Sequence, residues 1–298
     1  MNLLNKIIVS TLPAVPKPIV RKFANKYIAG EKLADAVRVV KELNAQGILA
    51  TLDVLGEAIT TKDEAIVARN EILELFPTIQ KEKLDSNVSI KLTQLGLALD
   101  RNFCLENVRM IISKAKETNN FVRIDMEDSP ATDNTIWVYR RIRKEFNNSG
   151  IVLQAYMRRT ENDSDELIGE GFGHFRLCKG IYVEPAEIAF KGHDEINENF
   201  IHVMKKMFEK KAYVGIATHD DFLVDAAYRL IQSMKLQKHE YEFQMLFGVR
   251  DELRAKILRD GHRMRVYVPF GEHWYRYSIR RFKENPQIAG YVLKALFN

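Results

Sequence analysis

Ionisable or amide side chains interrupt nearly every apolar stretch of this chain. Asp53 and Glu57 close "GILATLDVLGE" (residues 47–57), and Lys91 lies within "VSIKLTQLG" (88–96). Asp125 and Glu127 alternate in "FVRIDMED" (121–128), and Gln154 is followed by Arg158 and Arg159 in "IVLQAYMRR" (151–159). Arg176 and Lys179 flank Leu177 and Cys178 in "FRLCKG" (175–180), and Thr218, His219 and Asp220 end "YVGIATHD" (213–220). Glu242 and Gln244 sit in "YEFQMLFG" (241–248), and Arg265 and Tyr267 in "MRVYVPFG" (264–271). A charge among covered apolar residues is expensive unless it is paired. Because alternate strand residues share a face, Lys91, Asp125 and Arg176 could point inward and pair. Two readings follow, a ligand site and a structural ion-pair network. Near the C-terminus, Tyr277, Arg280 and Glu284 recur at helical spacing with Arg281 beside them. Two neighbouring arginines can hold one carboxylate through forked hydrogen bonds. The alternative is a solvated helix carrying an Arg280–Glu284 pair.

Such side chains need elements to aim them. The eight stretches read as strands, and helix-like segments separate them at 62–76, 97–117, 131–146, 194–210, 220–236 and 249–260. Thr61 or Asp63 suits a helix cap, Pro130 a helix start and Gly261 a helix end. Strands alternating with helices make βαβ units and a parallel sheet. Eight units fit a (β/α)8 barrel better than an open doubly wound sheet. In that fold the C-terminal ends of the strands carry the chemistry, which is where the polar residues above fall. Residues 1–46 read as a helical extension and residues 47–298 as the barrel.

Composition narrows the classes. The 45 basic and 40 acidic residues leave a net charge of +5, spread without the basic stripe that nucleic acid requires. Two distant cysteines, Cys104 and Cys178, fit a reducing compartment. None of the seven histidines has a second ligand at metal spacing, so no metal is expected. The glycines of "GEGFGHF" (169–175) precede a strand, the wrong context for a dinucleotide fingerprint. Residues 1–20 are apolar but broken by Pro13, Pro16 and Pro18, too short for a membrane span. They read as an amphipathic helix that packs on the domain or lies on a membrane surface.

In order along the chain, "SIKLTQLG", "RIDMED", "LQAY", "RLCKG", "GIATHD", "YEFQMLFG" and "RVYVPFGEHWYRYSIRR" followed by Glu284 resemble the signature segments of the proline dehydrogenase family. The resemblance spans residues 47–284 and implies a short, single-activity member. It implies a distorted (β/α)8 barrel of the TIM type, with extra N-terminal helices and a final helix over the mouth. It implies FAD as cofactor and oxidation of L-proline to 1-pyrroline-5-carboxylate, with hydride passing from proline C5 to flavin N5. By similarity Arg280 and Arg281 bind the substrate carboxylate, paired with Glu284. Lys91 and Asp125 stand at the substrate, and Leu246, Tyr267 and Tyr277 pack its ring. Gln154 and Arg176 touch the flavin, Arg176 near its N5 edge, and Lys179, Gly180, Thr218, His219, Gln244 and Glu242 fall in segments that line it, Glu242 behind the residues in direct contact. Electrons are expected to pass to a membrane quinone, and a separate pyrroline-carboxylate dehydrogenase is expected downstream. The expected location is cytoplasmic, with peripheral contact on the inner face of the membrane. Ile181, Val183 and Cys178 depart from the family pattern without removing a polar role, and Phe247 stands where a tyrosine is common, losing a hydroxyl. The alternatives are a hydroxyproline dehydrogenase on the same scaffold and a non-flavin barrel binding a small carboxylate.

Overall fold

The structure, a computed structural model, describes residues 20, 21, 24–56, 59–275 and 277–279. Eight parallel strands close into one barrel in sequence order: β1 (Leu49–Val54), β2 (Ser86–Ile90), β3 (Val122–Ile124), β4 (Ser149–Gln154), β5 (His174–Cys178), β6 (Tyr213–Ala217), β7 (Tyr241–Leu246) and β8 (Met264–Phe270). The β1–β8 seam is continuous from Leu49 opposite Arg265 to Val54 opposite Phe270. The expected strands therefore all form, each ending a few residues before the apolar stretch does. Lys91 and Asp125 consequently follow β2 and β3, in the first residues of the loops at the barrel's C-terminal face.

Around the barrel lie α1 (Leu33–Asn44), α2 (Lys62–Leu73), α3 (Leu75–Lys81), α4 (Arg101–Glu117), α5 (Ser129–Glu145), α6 (Thr160–Gly169), α7 (His193–Glu209), α8 (Asp221–Met234) and α9 (Asp251–Arg259). Local chemistry sets their starts. Thr61 and Glu64 form a reciprocal capping box on α2, and Asp100 and Asp220 accept backbone N–H groups at the starts of α4 and α8. Pro130 lies in the first turn of α5, where its missing N–H is harmless. The Glu184 carboxylate accepts the Ser129 N–H at 2.7 Å and its hydroxyl at 2.6 Å, an anion placed at a helix N-terminus.

Two features differ from expectation. The segment 62–76 divides into α2 and α3, which share Glu74 at their junction. Helix α6 was not anticipated, because "TENDSDELIG" carries too few apolar positions to show a period. Its burial rests on Thr160, Ser164 and Leu167.

The outward strand faces and the inner helix faces form the main core, from Ala36 and Val40 of α1 to Val266 and Val268 of β8. Each fully buried aliphatic side chain there contributes about 1.5–3 kcal/mol. A second cluster joins Val20, Ala24, Tyr27 and Ile28 to Leu55, Trp274 and Ile279, with Tyr277 packed against it. The Arg21 guanidinium lies 4.6 Å from the Trp274 ring centre. The chain before β1 thus braces the turn after β8, whose helical residues 277–279 carry Tyr277.

Candidate active site

Inside the barrel the alternation of strand residues stacks charges instead of the usual aliphatic layers. In register, Asp53 lies beside Ser89, Ser89 beside Arg123, Arg176 beside Gly215, Gly215 beside Glu242, and Gln244 beside Arg265. These side chains bond across the interior.

The upper layer centres on Asp125. Its Oδ1 accepts from Arg176 Nη1 at 2.8 Å and from the Ser89 hydroxyl at 3.1 Å, and its Oδ2 accepts from the Tyr267 hydroxyl at 2.7 Å. Lys91 Nζ donates to Asp53 Oδ1 at 2.5 Å and to the Tyr267 oxygen at 3.0 Å, and stands 3.5 Å from Asp125 Oδ2. The pairing expected of Lys91, Asp125 and Arg176 is present, with Asp53 and Tyr267 completing it. Two cations face two carboxylates.

The protonation states follow from this packing. Burial pulls the Lys91 ammonium down, but the Asp53 and Asp125 carboxylates outweigh it and hold its pKa above the ordinary value. Burial would raise Asp125, yet Lys91 and Arg176 keep it below the usual carboxylate range. Asp53 goes the other way: burial raises it, Lys91 offsets only part, and Asp125 adds repulsion. Its Oδ2 is buried with no hydrogen-bond partner among the described residues. Burial and the neighbouring Asp125 push the Tyr267 phenol well above 10, so it donates to Asp125 as a neutral hydroxyl.

Above this layer opens a cavity of about 650 Å³, within the range of small-molecule and cofactor sites. Asp53, Lys91, Asp125, Arg176 and Tyr267 form part of its floor and wall. Gln154, Lys179, Gly180, Thr218, His219, Gln244, Leu246 and Tyr277 also line it. Of the residues singled out from the sequence, Arg280, Arg281 and Glu284 lie outside the described residues. Apart from Glu242, the other residues given a site role by the resemblance border this one cavity; Arg158, Arg159 and Arg265, which also interrupt apolar stretches, do not line it, and Glu57 lies outside the described residues.

Several of them are fixed by neighbours. Gln154 Nε2 donates to the Glu127 carbonyl at 2.9 Å. His219 Nε2 accepts the Leu246 N–H at 2.9 Å, which puts the ring proton on Nδ1. The Thr218 hydroxyl oxygen accepts the Asp220 N–H at 3.2 Å. Lys179 Nζ pairs with Asp220 at 2.6 Å. Gly180 has φ +108°, and a Cβ there would lie 2.1 Å from the Tyr156 ring, so only glycine lets the backbone turn into the cavity wall.

Sequence reasoning gave no role to Asp53 beyond its place at the end of strand one, although it is the single charged residue of β1. Nor did it single out Ser89, or Thr93, whose N–H and hydroxyl hold the Glu127 carboxylate at 3.0 and 2.5 Å. A neutral serine or threonine among apolar residues carries no signal until its acceptor is known.

The donor set suits a flavin dinucleotide. Lys179 and Arg176 supply positive charge, Gln154 and Gln244 supply amides, and the glycine turn at 180 permits close backbone approach to a flat or anionic group.

Known proteins resemble this chain over most of its length. A family model described as proline dehydrogenase matches residues 36–293. Proline dehydrogenase 2 of Bacillus subtilis (strain 168) is 35% identical over 277 residues, covering 93% of this chain and 91% of its own. The proline dehydrogenase of Deinococcus radiodurans is 33% identical over 278 residues, with 92% and 89% covered. Among solved structures, proline utilization A from Bdellovibrio bacteriovorus inactivated by N-propargylglycine superposes with a TM-score of 0.84 at 26% identity. That match covers 89% of this chain and 33% of the longer protein.

Proposed function

The chain belongs to the proline dehydrogenase family and performs its FAD-linked oxidation of proline; on that premise we propose that the cavity above Asp125 is where the reaction occurs. The observation that carries this reading is the Lys91–Asp53–Asp125–Tyr267–Arg176 network, a charge-balanced set of buried groups that forms one wall of the cavity. A purely structural network would have closed over. This one borders space.

The division of labour is as follows. Gln154, Arg176, Lys179, Gly180, Thr218, His219 and Gln244 hold FAD along the β4–β7 side of the mouth. FAD held there would supply, at N5, the acceptor for the hydride that leaves proline C5. Tyr267, Tyr277 and Leu246 enclose the proline ring with apolar surface, excluding water from the reacting carbon. Lys91 and Asp125 set the local charge, and Tyr267 is held in place by hydrogen bonds to both. Arg280 and Arg281, braced by Glu284, receive the carboxylate; this assignment rests on the family motif. The substrate is a small secondary amino acid, the same chemical class as N-propargylglycine, the inactivator of the Bdellovibrio relative. The product is 1-pyrroline-5-carboxylate, which a separate pyrroline-carboxylate dehydrogenase then consumes.

The electron acceptor is a membrane quinone, reached from the cytoplasmic side by peripheral contact. Support comes from the rim. Ile181 and Tyr182 line the cavity while the adjoining Val183 is 99% exposed, and Phe222, next to the lining residue Asp221, is 53% exposed. No helix among the described residues is long and apolar enough to cross a membrane.

Anaerobic L-proline added to the FAD-loaded protein is expected to bleach the oxidised flavin band, and trans-4-hydroxyproline to bleach it far more slowly. A band that persists with L-proline would overturn the substrate reading. Co-flotation with liposomes, weakened when Val183 and Phe222 are both replaced by serine, tests the membrane contact; equal flotation of the variant would refute the rim's part in it.

A further inference from the structure

Glu242 is the most deeply buried carboxylate of β7, at 2% exposure, and it does not border the cavity. Its Oε1 accepts from Arg265 Nε at 2.6 Å and from Gln244 Nε2 at 2.7 Å, and its Oε2 accepts from Arg265 Nη2 at 3.2 Å. Arg263 stands 3.7 Å away. Burial pushes the carboxyl up, but Arg265 outweighs it and keeps the group ionised.

The contact with Gln244 has a directional consequence. A side-chain amide presents one donating end and one accepting end. The Glu242 carboxylate can only accept, so it takes the NH2 end of Gln244. The carbonyl end is thereby aimed at Arg176, whose Nε donates to Gln244 Oε1 at 2.5 Å. A flipped amide would set oxygen against carboxylate and NH2 against guanidinium, two repulsive contacts in a buried site. With Nε held by Gln244, and Nη1 held by Asp125 and by Ser89 at 3.3 Å, the guanidinium plane has one orientation.

Room for this amide is also specified. A Cβ on Gly215 would lie 2.4 Å from Gln244 Nε2. Gly215 has an ordinary strand conformation, so space is the reason for glycine there, not backbone freedom. The neighbouring strand leaves the gap that the oriented amide fills.

We propose that Glu242, with Gly215, is a positioning element for the redox reaction: through the Gln244 amide it fixes the Arg176 guanidinium at the flavin and so sets the positive field the flavin experiences. This rests on the reading that places the flavin ring beside Arg176. A positive charge near the ring favours the reduced, anionic form and raises the reduction potential. Loosening the relay lets Arg176 turn away and lowers it.

The test is the midpoint potential of the bound flavin in three variants of the FAD-loaded protein. Arg176→Met removes the charge itself. Glu242→Gln removes the carboxylate that orients the amide. Gly215→Ala pushes on the Gln244 amide while leaving every charge and the Glu242–Arg265 pair in place, so it carries the test even where Glu242→Gln folds poorly. The expected result is a lower potential in all three. Gly215→Ala and Glu242→Gln should shift the reduced-to-oxidised ratio about tenfold, about 30 mV for a two-electron couple. A wild-type potential in Gly215→Ala and Glu242→Gln, with a shifted one in Arg176→Met, would refute the relay and leave the flavin placement standing. A wild-type potential in Arg176→Met as well would show that the flavin lies elsewhere, and the relay would fall with it.

Discussion

The barrel holds two polar layers, and they differ in what they face. The lower layer turns on Arg123, Glu242 and Arg265. Arg123 Nη1 donates to the carbonyls of His174 at 2.8 Å and Ile151 at 3.3 Å, and its Nη2 meets His174 Nδ1 at 3.0 Å. Arg265 donates to Glu242 and, at 2.6 Å, to the Ala50 carbonyl. The His174 ring is stacked 4.1 Å from Tyr213 and held neutral by burial and the arginines nearby. Burial and repulsion from Arg176 bring Arg123 itself down to about 10. The lower layer leaves Arg123 Nε without a partner among the described residues, but away from the cavity; the upper layer, built from the same residue types, borders the cavity and leaves Asp53 Oδ2 without a partner. Buried charge is therefore not by itself a sign of a site. The sign is buried charge whose bonding is left incomplete next to open space.

The largest effect separating the layers should come from Arg265→Met. It leaves Glu242 buried with only Arg263, 3.7 Å away, as a cation partner, and we expect a loss of about 3–5 kcal/mol in urea unfolding. Without Arg265 burial pushes the Glu242 carboxyl toward its neutral form, which no longer dictates the end of the Gln244 amide it takes, so turnover per folded, flavin-loaded molecule should fall only modestly, as in Glu242→Gln. A large fall in that specific activity would mean that the lower layer reaches the chemistry by more than the amide.

Next is Lys91→Met in the upper layer. It should lower kcat/KM for proline by about 10²–10³-fold, the range found when a preorganised charged or donor group is removed from an active site. FAD occupancy should persist, since no residue proposed to hold FAD is changed. Loss of FAD with the lysine would break the division of labour drawn above.

Gly180→Ala combines a positive φ with a clash against Tyr156. Strain of this kind costs about 1–3 kcal/mol. We expect weaker FAD retention on dilution, measured by released flavin fluorescence, together with a lower thermal midpoint.

The pH dependence separates Asp53 from the other two buried carboxylates by sign. The folded pKa of Glu242 lies below its ordinary 4.5, so its contribution is present above that value and drains as pH falls through the folded pKa. Asp125 behaves alike relative to 3.8. Asp53 is raised, so it favours the folded state at low pH and opposes it once pH rises through its folded pKa. Stability should therefore fall on acidification below about pH 4.5, and the double variant Glu242→Met with Arg265→Met should show a shallower fall. An unchanged acid limb in that variant would remove Glu242 from the account.

The smallest effect is expected at Cys178. Burial pushes its thiol up to about 11, so it should resist thiol reagents at neutral pH in the folded protein. Cys178→Val should change stability by less than about 1.5 kcal/mol and leave proline turnover nearly unchanged.

Much of this is legible in the sequence alone. Parallel strands covered on both faces read as apolar runs, so the interruptions by Lys91, Asp125, Arg176 and Gln244 stood out against them. Period-two alternation let Lys91, Asp125 and Arg176 be read as able to face inward and pair, although Lys91 and Asp125 lie just past the ends of β2 and β3. The lower layer was not legible. Arg123 and Glu242 interrupt strands in the same way, and no local pattern says which end of a barrel a residue occupies until strand boundaries are fixed to one residue. Asp53 as the partner of Lys91 depended on the register of β1 against β2, a non-local fact. Helix α6 escaped because two of its three buried residues, Thr160 and Ser164, are polar and leave only Leu167 as an apolar signal.

The measurement closest to the central claim is rapid-mixing reduction of the bound flavin by anaerobic L-proline in wild type and in Asp125→Asn. Asp125 is the group on which Lys91, Arg176 and Tyr267 converge. If the upper layer is the reaction site, the wild-type flavin bleaches with proline, and the variant, still loaded with FAD, bleaches about 100-fold more slowly. Bleaching of the variant at the wild-type rate would contradict the account and return the upper layer to the same structural standing as the lower one.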